Sequence, residues 1–110
     1  MVDILKGRGI SPGKAKGIVR IITKPTQFKD IKQGDVLVTE MASPEFNKHI
    51  RHAVAVITVE GGALGHLGTL SRELKVPCIV GIKDATKLLK TGNLVEVDAH
   101  TGIVKILETK

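Results

Sequence analysis

The chain has 110 residues, of which 42% are hydrophobic and 25% charged, and its formal net charge is +6. These proportions predict one folded domain over residues 1–110 with a single hydrophobic core. The sequence contains no apolar run near the ~20 residues that span a bilayer and no signal-like leader, and its single cysteine excludes an internal disulfide, so we expect a cytoplasmic protein with no membrane partner.

The first half of the chain favours strands and one short helix. Residues 17–23 and 36–39 are rich in β-branched and aliphatic side chains and predict two strands, with turn-forming residues before the second. Ser43 and Pro44 are typical of a helix start, as the N-cap and the first helical residue. The apolar face of this predicted helix consists of Phe46, Ile50 and Ala53.

The middle of the chain alternates strand and helix patterns. Residues 54–59 form a continuous apolar run, which predicts a strand buried on both faces. A glycine-rich turn follows, and residues 67–74 then show leucines at helical spacing. We expect Pro77 to end this helix, and residues 78–81 predict a further short buried strand.

The last third of the chain predicts one more helix and a hairpin. Asp84 is expected to cap a helix over residues 85–90. Residues 94–98 and 103–107 indicate the two strands of a hairpin around a His-Thr-Gly turn. Because helices alternate with strands only in the middle, we expect an α/β domain with a mixed, strand-rich core and about three short helices, and no full doubly wound fold.

The segment from Gly61 to Arg72 contains the residues best suited to chemistry. Gly61 and Gly62 allow the backbone to approach a ligand closely, and the helix start that follows favours an anion. His66 stands at or just before that start, where a neutral imidazole can take a phosphoryl group covalently and pass it on. Arg72 can bind phosphoryl oxygens through two parallel hydrogen bonds. The spacing differs from a Walker phosphate loop, since no Gly-Lys-Ser/Thr follows.

Several stretches of the sequence match one known pattern in the same order. They are Ser-Pro-Gly-Lys-Ala-Lys-Gly at 11–17, Gly-Asp-Val-Leu-Val at 34–38, Gly-Gly-Ala-Leu-Gly-His at 61–66, Ser-Arg-Glu-Leu-Lys-Val-Pro-Cys-Ile-Val-Gly at 71–81, and the closing segment 92–104. Together they closely resemble the phosphohistidine swivelling domain, the mobile domain of enzymes that use phosphoenolpyruvate, such as phosphoenolpyruvate synthase, pyruvate phosphate dikinase and enzyme I. The resemblance covers nearly the whole chain.

The resemblance implies a fold and a mechanism. The fold is a swivelling β/β/α domain, and the mechanism is that of a carrier whose histidine takes a phosphoryl group at one active site and delivers it at another. His66 matches the phosphorylated position, and Arg72 matches an arginine that contacts the phosphoryl group. Gly61 and Gly62 match the turn that places the histidine, and Gly65 is included with them as a positioning residue.

The resemblance also implies partners and cofactors. The chain is expected to act with ATP-binding and phosphoenolpyruvate-binding domains or subunits, and magnesium and ATP or phosphoenolpyruvate are expected there, with no metal or cofactor within this domain. At 110 residues the chain is long enough for a whole carrier and too short for a whole enzyme. It is therefore expected to be a phosphotransferase component without turnover of its own, as one subunit of a split enzyme or as part of a larger one.

The sequence departs from the family pattern at three positions. Gly65 replaces the Ser, Thr or Cys that usually precedes the histidine, which removes a hydroxyl or thiol and its hydrogen bond. Leu64 replaces a threonine that is a regulatory phosphorylation site in some members, so that control is expected to be missing. Gly68 lies inside the helix, at a cost of about 1 kcal/mol relative to alanine. These departures leave two readings, a divergent carrier or a domain that has lost phosphorylation.

Other candidate residues have simpler explanations. His49 and His52 share a helix face near Glu45, which makes a metal site conceivable, but a basic surface helix accounts for the same residues. Cys78 lies in an apolar strand pattern and is expected to be a small core residue. His100 falls in the predicted hairpin turn, where no specific role is expected.

The sequence is also compatible with two further classes of function. One is a non-catalytic interaction or regulatory domain of the same fold. The other is a basic DNA-binding module, because residues 69–77 have the look of a helix and turn from a helix-turn-helix and the net charge is positive. The strand pattern over 78–81 leaves no recognition helix, the lysines are scattered, and two phenylalanines are the only aromatics for base stacking, so no nucleic-acid partner is expected.

Overall fold

The protein forms one mixed sheet with short helices in its connections. The computed structural model describes residues 3–61 and 65–109. The strands are β1 (Ile4–Lys6), β2 (Arg8–Ser11), β3 (Lys14–Ile21), β4 (Asp35–Thr39), β5 (Ala53–Thr58), β6 (Cys78–Val80), β7 (Leu94–Asp98) and β8 (Ile103–Glu108). The α-helices in these ranges are α1 (Pro44–Asn47), α2 (Gly65–Leu74) and α3 (Ala85–Leu88), and 3₁₀ helices cover Pro25–Asp30 and Ile50–His52. The predicted α/β class with about three short helices is confirmed.

The strands are arranged in the order β1-β8-β7-β3-β4-β5-β6-β2. Strands β3 to β6 run parallel, and the pairs on either side of them are antiparallel, including the predicted β7–β8 hairpin. Strands β1 and β2 were not predicted, and they lie at opposite edges of the sheet although Gly7 alone separates them in the chain. The sheet must therefore curl until its two edges meet at Gly7.

Backbone contacts at glycines close the curled sheet. The Gly7 N–H donates a hydrogen bond to the Gly102 carbonyl oxygen at 2.8 Å. A Cβ atom on Gly102 would overlap the Gly7 carbonyl oxygen, and one on Gly9 would overlap the carbonyl oxygen of Ala99. The Ala99 N–H in turn donates to the Gly13 carbonyl oxygen at 2.8 Å. The β7–β8 turn is thus in contact with the segment that joins the two edges.

Strands β4, β5 and β6 are buried on both faces, and the buried residues form two clusters rather than the single core expected from chain length. Alternate residues of each strand point to opposite faces, and in these three strands both sets are mostly apolar. The inner cluster includes Val19, Val36, Val38, Ala55, Ile57, Ile79, Val95, Val97 and Val104. The outer cluster includes Leu37, Phe46, Ile50, Val56, Leu67, Val76, Cys78 and Val80. The prediction that residues 54–59 are buried on both faces is confirmed over β5.

The helix predicted after Ser43 is shorter than its apolar spacing suggested. The Ser43 Oγ accepts a hydrogen bond from the Phe46 N–H at 3.0 Å, which confirms the predicted N-cap. However, α1 ends at Asn47, and Ala53 is already the first residue of β5, where it pairs with Asp35. Phe46, Ile50 and Ala53 are all buried, but they lie in α1, in the following 3₁₀ helix and in β5 rather than on one helix face.

The other two helix ends also differ from the prediction. Asp84 precedes α3 without a side-chain capping bond, and its carboxylate lies 3.7 Å from the Lys87 ammonium; the helix ends at Leu88 rather than at residue 90. Helix α2 ends at Leu74, before Pro77, because Lys75 adopts a left-handed conformation with φ of 59°. The Lys75 and Val76 N–H groups then bond back to the last turn, which satisfies carbonyls that the helix leaves open.

No helix in residues 3–61 and 65–109 has the length and apolar character needed to cross a membrane.

A Gly9→Ala substitution is expected to destabilise the domain by about 3 kcal/mol or more, because the new Cβ would overlap the backbone carbonyl of Ala99 and no rotamer change relieves this overlap. Thermal and urea unfolding measure the loss. Gly65→Ala is the matched control, since a Cβ there meets nothing within 4 Å. Equal stability of Gly9→Ala and wild type would contradict the closed sheet.

Cys78 is expected to be unreactive in the folded protein. Its side chain is fully buried in the outer cluster, and this burial raises the pKa of the thiol to about 12. At pH 8 the thiolate fraction is then on the order of one in ten thousand. Iodoacetamide should therefore alkylate Cys78 only as the protein unfolds in guanidinium, in step with circular dichroism. Rapid alkylation without denaturant would show that the thiol is accessible.

Candidate functional site

The sequence-predicted histidine lies at the edge where the parallel strands end. Strands β4, β5 and β6 are parallel, so their carboxyl ends meet at one edge of the sheet, the usual location of ligand sites in such sheets. Strand β5 ends at Thr58, and α2 begins at Gly65. His66 is the second residue of α2 and its side chain is exposed, so the imidazole is accessible from outside the domain.

The turn before α2 is held from behind by three hydrogen bonds around Glu60. Its carbonyl oxygen accepts from the Thr58 Oγ1 at 2.6 Å and from the Gly81 N–H at 3.2 Å, and its own N–H donates to the Glu40 carbonyl at 2.9 Å. Next to it, a Cβ on Gly61 would lie 3.0 Å from the Gly81 Cα. Gly61 therefore lets two backbone segments pack closely at the end of β5.

The remaining glycines of the predicted site have different surroundings. Gly62 lies outside the described residues. Gly65 is exposed, and a Cβ added there would meet no atom within 4 Å. Gly65 is the first residue of α2 and directly precedes His66. The backbone N–H groups of this first turn and the helix dipole favour a negative charge there.

Arg72 is not directed along the helix surface toward His66. Six residues of α-helix separate the two by about 9 Å along the axis and by about 120° around it. The Arg72 Nη1 donates a hydrogen bond to the Ile10 carbonyl oxygen of β2 at 2.8 Å. The structure therefore does not join the histidine and this arginine through a shared contact; it places the guanidinium between α2 and β2.

The glycine inside α2, Gly68, is explained by tertiary contacts that the sequence did not show. A Cβ on Gly68 would lie 3.2 Å from the Arg72 Nη1 and 3.4 Å from the Ile10 Cδ1. Helical side chains lean toward the preceding turn, and Arg72 accordingly lies across the residue four positions before it. Gly68 thus makes room for the guanidinium against β2.

Arg8 is a residue near the site that sequence reasoning missed. Its Nη2 donates a hydrogen bond to the Gly61 carbonyl oxygen at 3.1 Å, and the two residues are 53 positions apart in the chain. Arg8 belongs to β2, which pairs with β6 beside the carboxyl end of β5. No local pattern could have identified it, because its proximity depends on an edge strand that the sequence did not predict.

The other histidines make structural contacts. The His49 ring stacks on Phe28 with centroids 4.4 Å apart and an interplanar angle of 27°. Across residues 3–61 and 65–109, no three His, Cys, Asp or Glu side chains are grouped so that they could hold a metal ion. The backbone N–H of His100 donates to the Asp98 carboxylate at 3.0 Å in the β7–β8 turn.

Asp98 is the acidic group of that turn. Partial desolvation alone would raise its pKa, but hydrogen bonds from His100 and Thr101 and the charge of Lys14 outweigh it and hold the pKa below the usual value. The turn is therefore organised around an ionised carboxylate.

A separate cavity of about 460 Å³ lies at the opposite end of the parallel strands. It is next to the Arg20–Asp35 ion pair, in which the Nε and Oδ2 atoms are 2.8 Å apart. Asp35 is the first residue of β4, whereas His66 follows the last residues of β5. This cavity is therefore not part of the histidine site.

Comparison with known proteins assigns the chain to a family. The family model described as "PEP-utilising enzyme, mobile domain" matches residues 31–102. The chain is 46% identical over 101 residues to the phosphoenolpyruvate synthase of Pyrococcus furiosus, a match that covers 92% of this chain and 12% of that protein. The chain thus spans about an eighth of the length of this relative.

Solved structures share the fold. The solution structure of Enzyme I superposes with a TM-score of 0.65 at 26% identity, covering 76% of this chain and 34% of that one. The crystal structure of Thermococcus kodakaraensis aconitase X superposes with a TM-score of 0.72 at 27% identity, covering 97% of this chain and 100% of that one. With the family model matched over more than half of its length, the chain belongs to the mobile-domain family of phosphoenolpyruvate-utilising enzymes.

Proposed function

We propose that the chain is a phosphoryl carrier in which His66 accepts a phosphoryl group at one catalytic site and delivers it at another. The observation that carries the proposal is the place of His66, exposed in the first turn of α2 at the carboxyl edge of the parallel strands. Family membership supports a carrier role for a domain of this kind.

The chemistry of the proposed step is nucleophilic substitution at phosphorus. A ring nitrogen of neutral His66 forms an N–P bond while the P–O bond to the donor breaks, and the donor oxygen leaves with the electron pair. In the second half-reaction an acceptor oxygen forms a new P–O bond and the N–P bond breaks. The N–H groups at the start of α2 stabilise the phosphoryl oxygens while the group is carried.

The donor and acceptor sites are proposed to lie outside this chain. ATP-binding and phosphoenolpyruvate-binding domains or subunits, with their magnesium, would supply and receive the phosphoryl group. The coverage supports this division, since the chain corresponds to only 12% of the Pyrococcus phosphoenolpyruvate synthase. Movement between two sites also fits a mobile domain.

Arg72 is proposed to contact the phosphoryl group after a change of partner. Its Nη1 now donates to the Ile10 carbonyl, but a guanidinium has further N–H donors, and the residue is exposed. Gly68 leaves the guanidinium free to shift across the helix surface. Gly61 and Gly65 are proposed to position the turn and to keep space open beside His66.

The two alternative classes are less well supported. Helix α2 is followed by β6, which occupies the place of the recognition helix in a helix-turn-helix. The aconitase X likeness indicates that the fold is not confined to phosphoenolpyruvate-utilising enzymes, which keeps a non-carrier role as the alternative. The identity is 46% to the phosphoenolpyruvate synthase and 27% to aconitase X, which favours the carrier.

His66→Ala is expected to abolish phosphorylation of the chain, because the nucleophile is removed. The wild type, incubated with magnesium, ATP or phosphoenolpyruvate and its cognate catalytic partner, should give an acid-labile, base-stable phosphoramidate signal in phosphorus NMR. His100→Ala is the matched control and should label like the wild type. A wild type that stays unlabelled with its authentic partner would refute the carrier proposal.

Gly68→Ala is expected to raise the stability of the domain and to slow phosphoryl transfer to His66. Helix propensity favours alanine by up to about 1 kcal/mol, and the close atoms are ends of flexible side chains that can move, so the melting temperature should rise. The displaced Arg72 guanidinium should slow phosphorylation of His66 by the catalytic partner. Thr69→Ala, at an exposed position of the same helix, serves as the control. An unchanged rate of phosphoryl transfer in Gly68→Ala would argue against a role in transfer for the position of the Arg72 guanidinium.

A further inference from the structure

The segment that precedes His66 is rich in glycine. Gly61, Gly62 and Gly65 precede the histidine within six positions, and none of them carries a side chain. Glycine loses more conformational freedom on folding than any other residue, so a turn of this composition is costly to order. Hydrogen bonds from neighbouring segments to its described end, at Gly61, therefore help to order it.

The described contacts show where such bonds come from. Behind the turn, the Glu60 carbonyl is bound by the Thr58 hydroxyl and the Gly81 N–H. One residue closer to His66, the Gly61 carbonyl accepts from the Arg8 Nη2 at 3.1 Å. Gly61 is the first glycine of this segment, so the bond from Arg8 acts at the end that follows β5.

The strand that carries Arg8 is itself well fixed. Arg8 pairs with Val80 of β6, and the next residue, Gly9, is packed against the Ala99 carbonyl. The carbonyl of Ile10, two residues after Arg8, accepts the bond from Arg72. Two arginine bonds to β2 residues therefore bracket the segment from Gly61 to Arg72, one at the turn before α2 and one near its end.

We propose that Arg8 is a positioning residue for His66: its charge-assisted bond to the Gly61 carbonyl fixes the turn, and thereby holds the first turn of α2 where the imidazole meets an incoming phosphoryl group. The proposal rests on the carrier function proposed above. The chemistry suits a basic side chain, because a charged N–H donor makes a stronger hydrogen bond to a carbonyl than a neutral donor does. The anchor comes from a different strand, β2, and acts on the glycine-rich segment at Gly61.

The test compares labelling at two histidines within one folded chain. Phosphoramidate is the phosphoryl donor: its N–P bond breaks, ammonia leaves, and a histidine nitrogen forms the new N–P bond. Peptide mass spectrometry at neutral pH measures labelling at His66 relative to His100, which is exposed and lies in the β7–β8 turn. This ratio reports on the local setting of His66, and melting temperatures recorded in parallel report on global stability.

Arg8→Met is expected to lower the His66-to-His100 ratio about five-fold while the protein stays folded, because Arg8 is exposed and the sheet contacts of β2 are retained. Lys6→Met is the matched control, an exposed basic residue of β1, and should leave the ratio unchanged. Arg8→Lys, which keeps a charge of similar reach, should recover at least half of the loss.

Three results would overturn the proposal. They are an unchanged ratio in Arg8→Met, an equal fall in Lys6→Met, and no recovery in Arg8→Lys. Each of them would leave the carrier function standing if the catalytic partner still phosphorylates His66 in the wild type. A wild type that the partner does not phosphorylate would instead remove the carrier function, and the role of Arg8 with it.

Discussion

The contact between Gly7 and the β7–β8 turn is the constraint on which the rest of the structure depends. Gly7 bonds to Gly102, and Gly9 packs against Ala99, so the edges of an eight-stranded sheet meet without side chains between them. This closure brings the two edge strands, β1 and β2, together where Gly7 joins them. It also places β2 beside β6. Two bonds then link β2 to the segment around α2: Arg8 of β2 donates to the Gly61 carbonyl, and the Ile10 carbonyl of β2 accepts from Arg72.

Burial on both faces of β4, β5 and β6 limits where a ligand can reach these strands. Their inner face is filled by aliphatic side chains, and their outer face packs against α1 and α2, which leaves the ends of the strands as the accessible places. Helix α2 packs through Leu67 on the outer cluster, which leaves His66 at its exposed start. The same fold occurs in aconitase X, so the sheet by itself does not specify a function.

Elements with a strong local pattern could be predicted, and elements that depend on distant contacts could not. The apolar run of β5 and the β7–β8 hairpin were found within about a residue, because burial alternation and turn chemistry are local. Strands β1 and β2 have three and four residues and mostly exposed side chains, which is too short for a periodic signal. Helix α1 was predicted too long because spacing alone does not show that Ala53 must pair with β4.

The candidate site divides in the same way. The sequence by itself determined the family resemblance and the place of His66 at the start of a helix after a buried strand, because a glycine turn, a helix start and a histidine lie within a few residues of one another. Only the tertiary structure decided that Arg72 bonds to Ile10, that Gly68 makes room for it, and that Arg8 holds the Gly61 turn. The Arg72–Ile10 bond joins residues that are 62 positions apart in the chain, and the Arg8–Gly61 bond joins residues that are 53 positions apart. Such pairs meet only because the sheet closes and brings its edge strand to the helix.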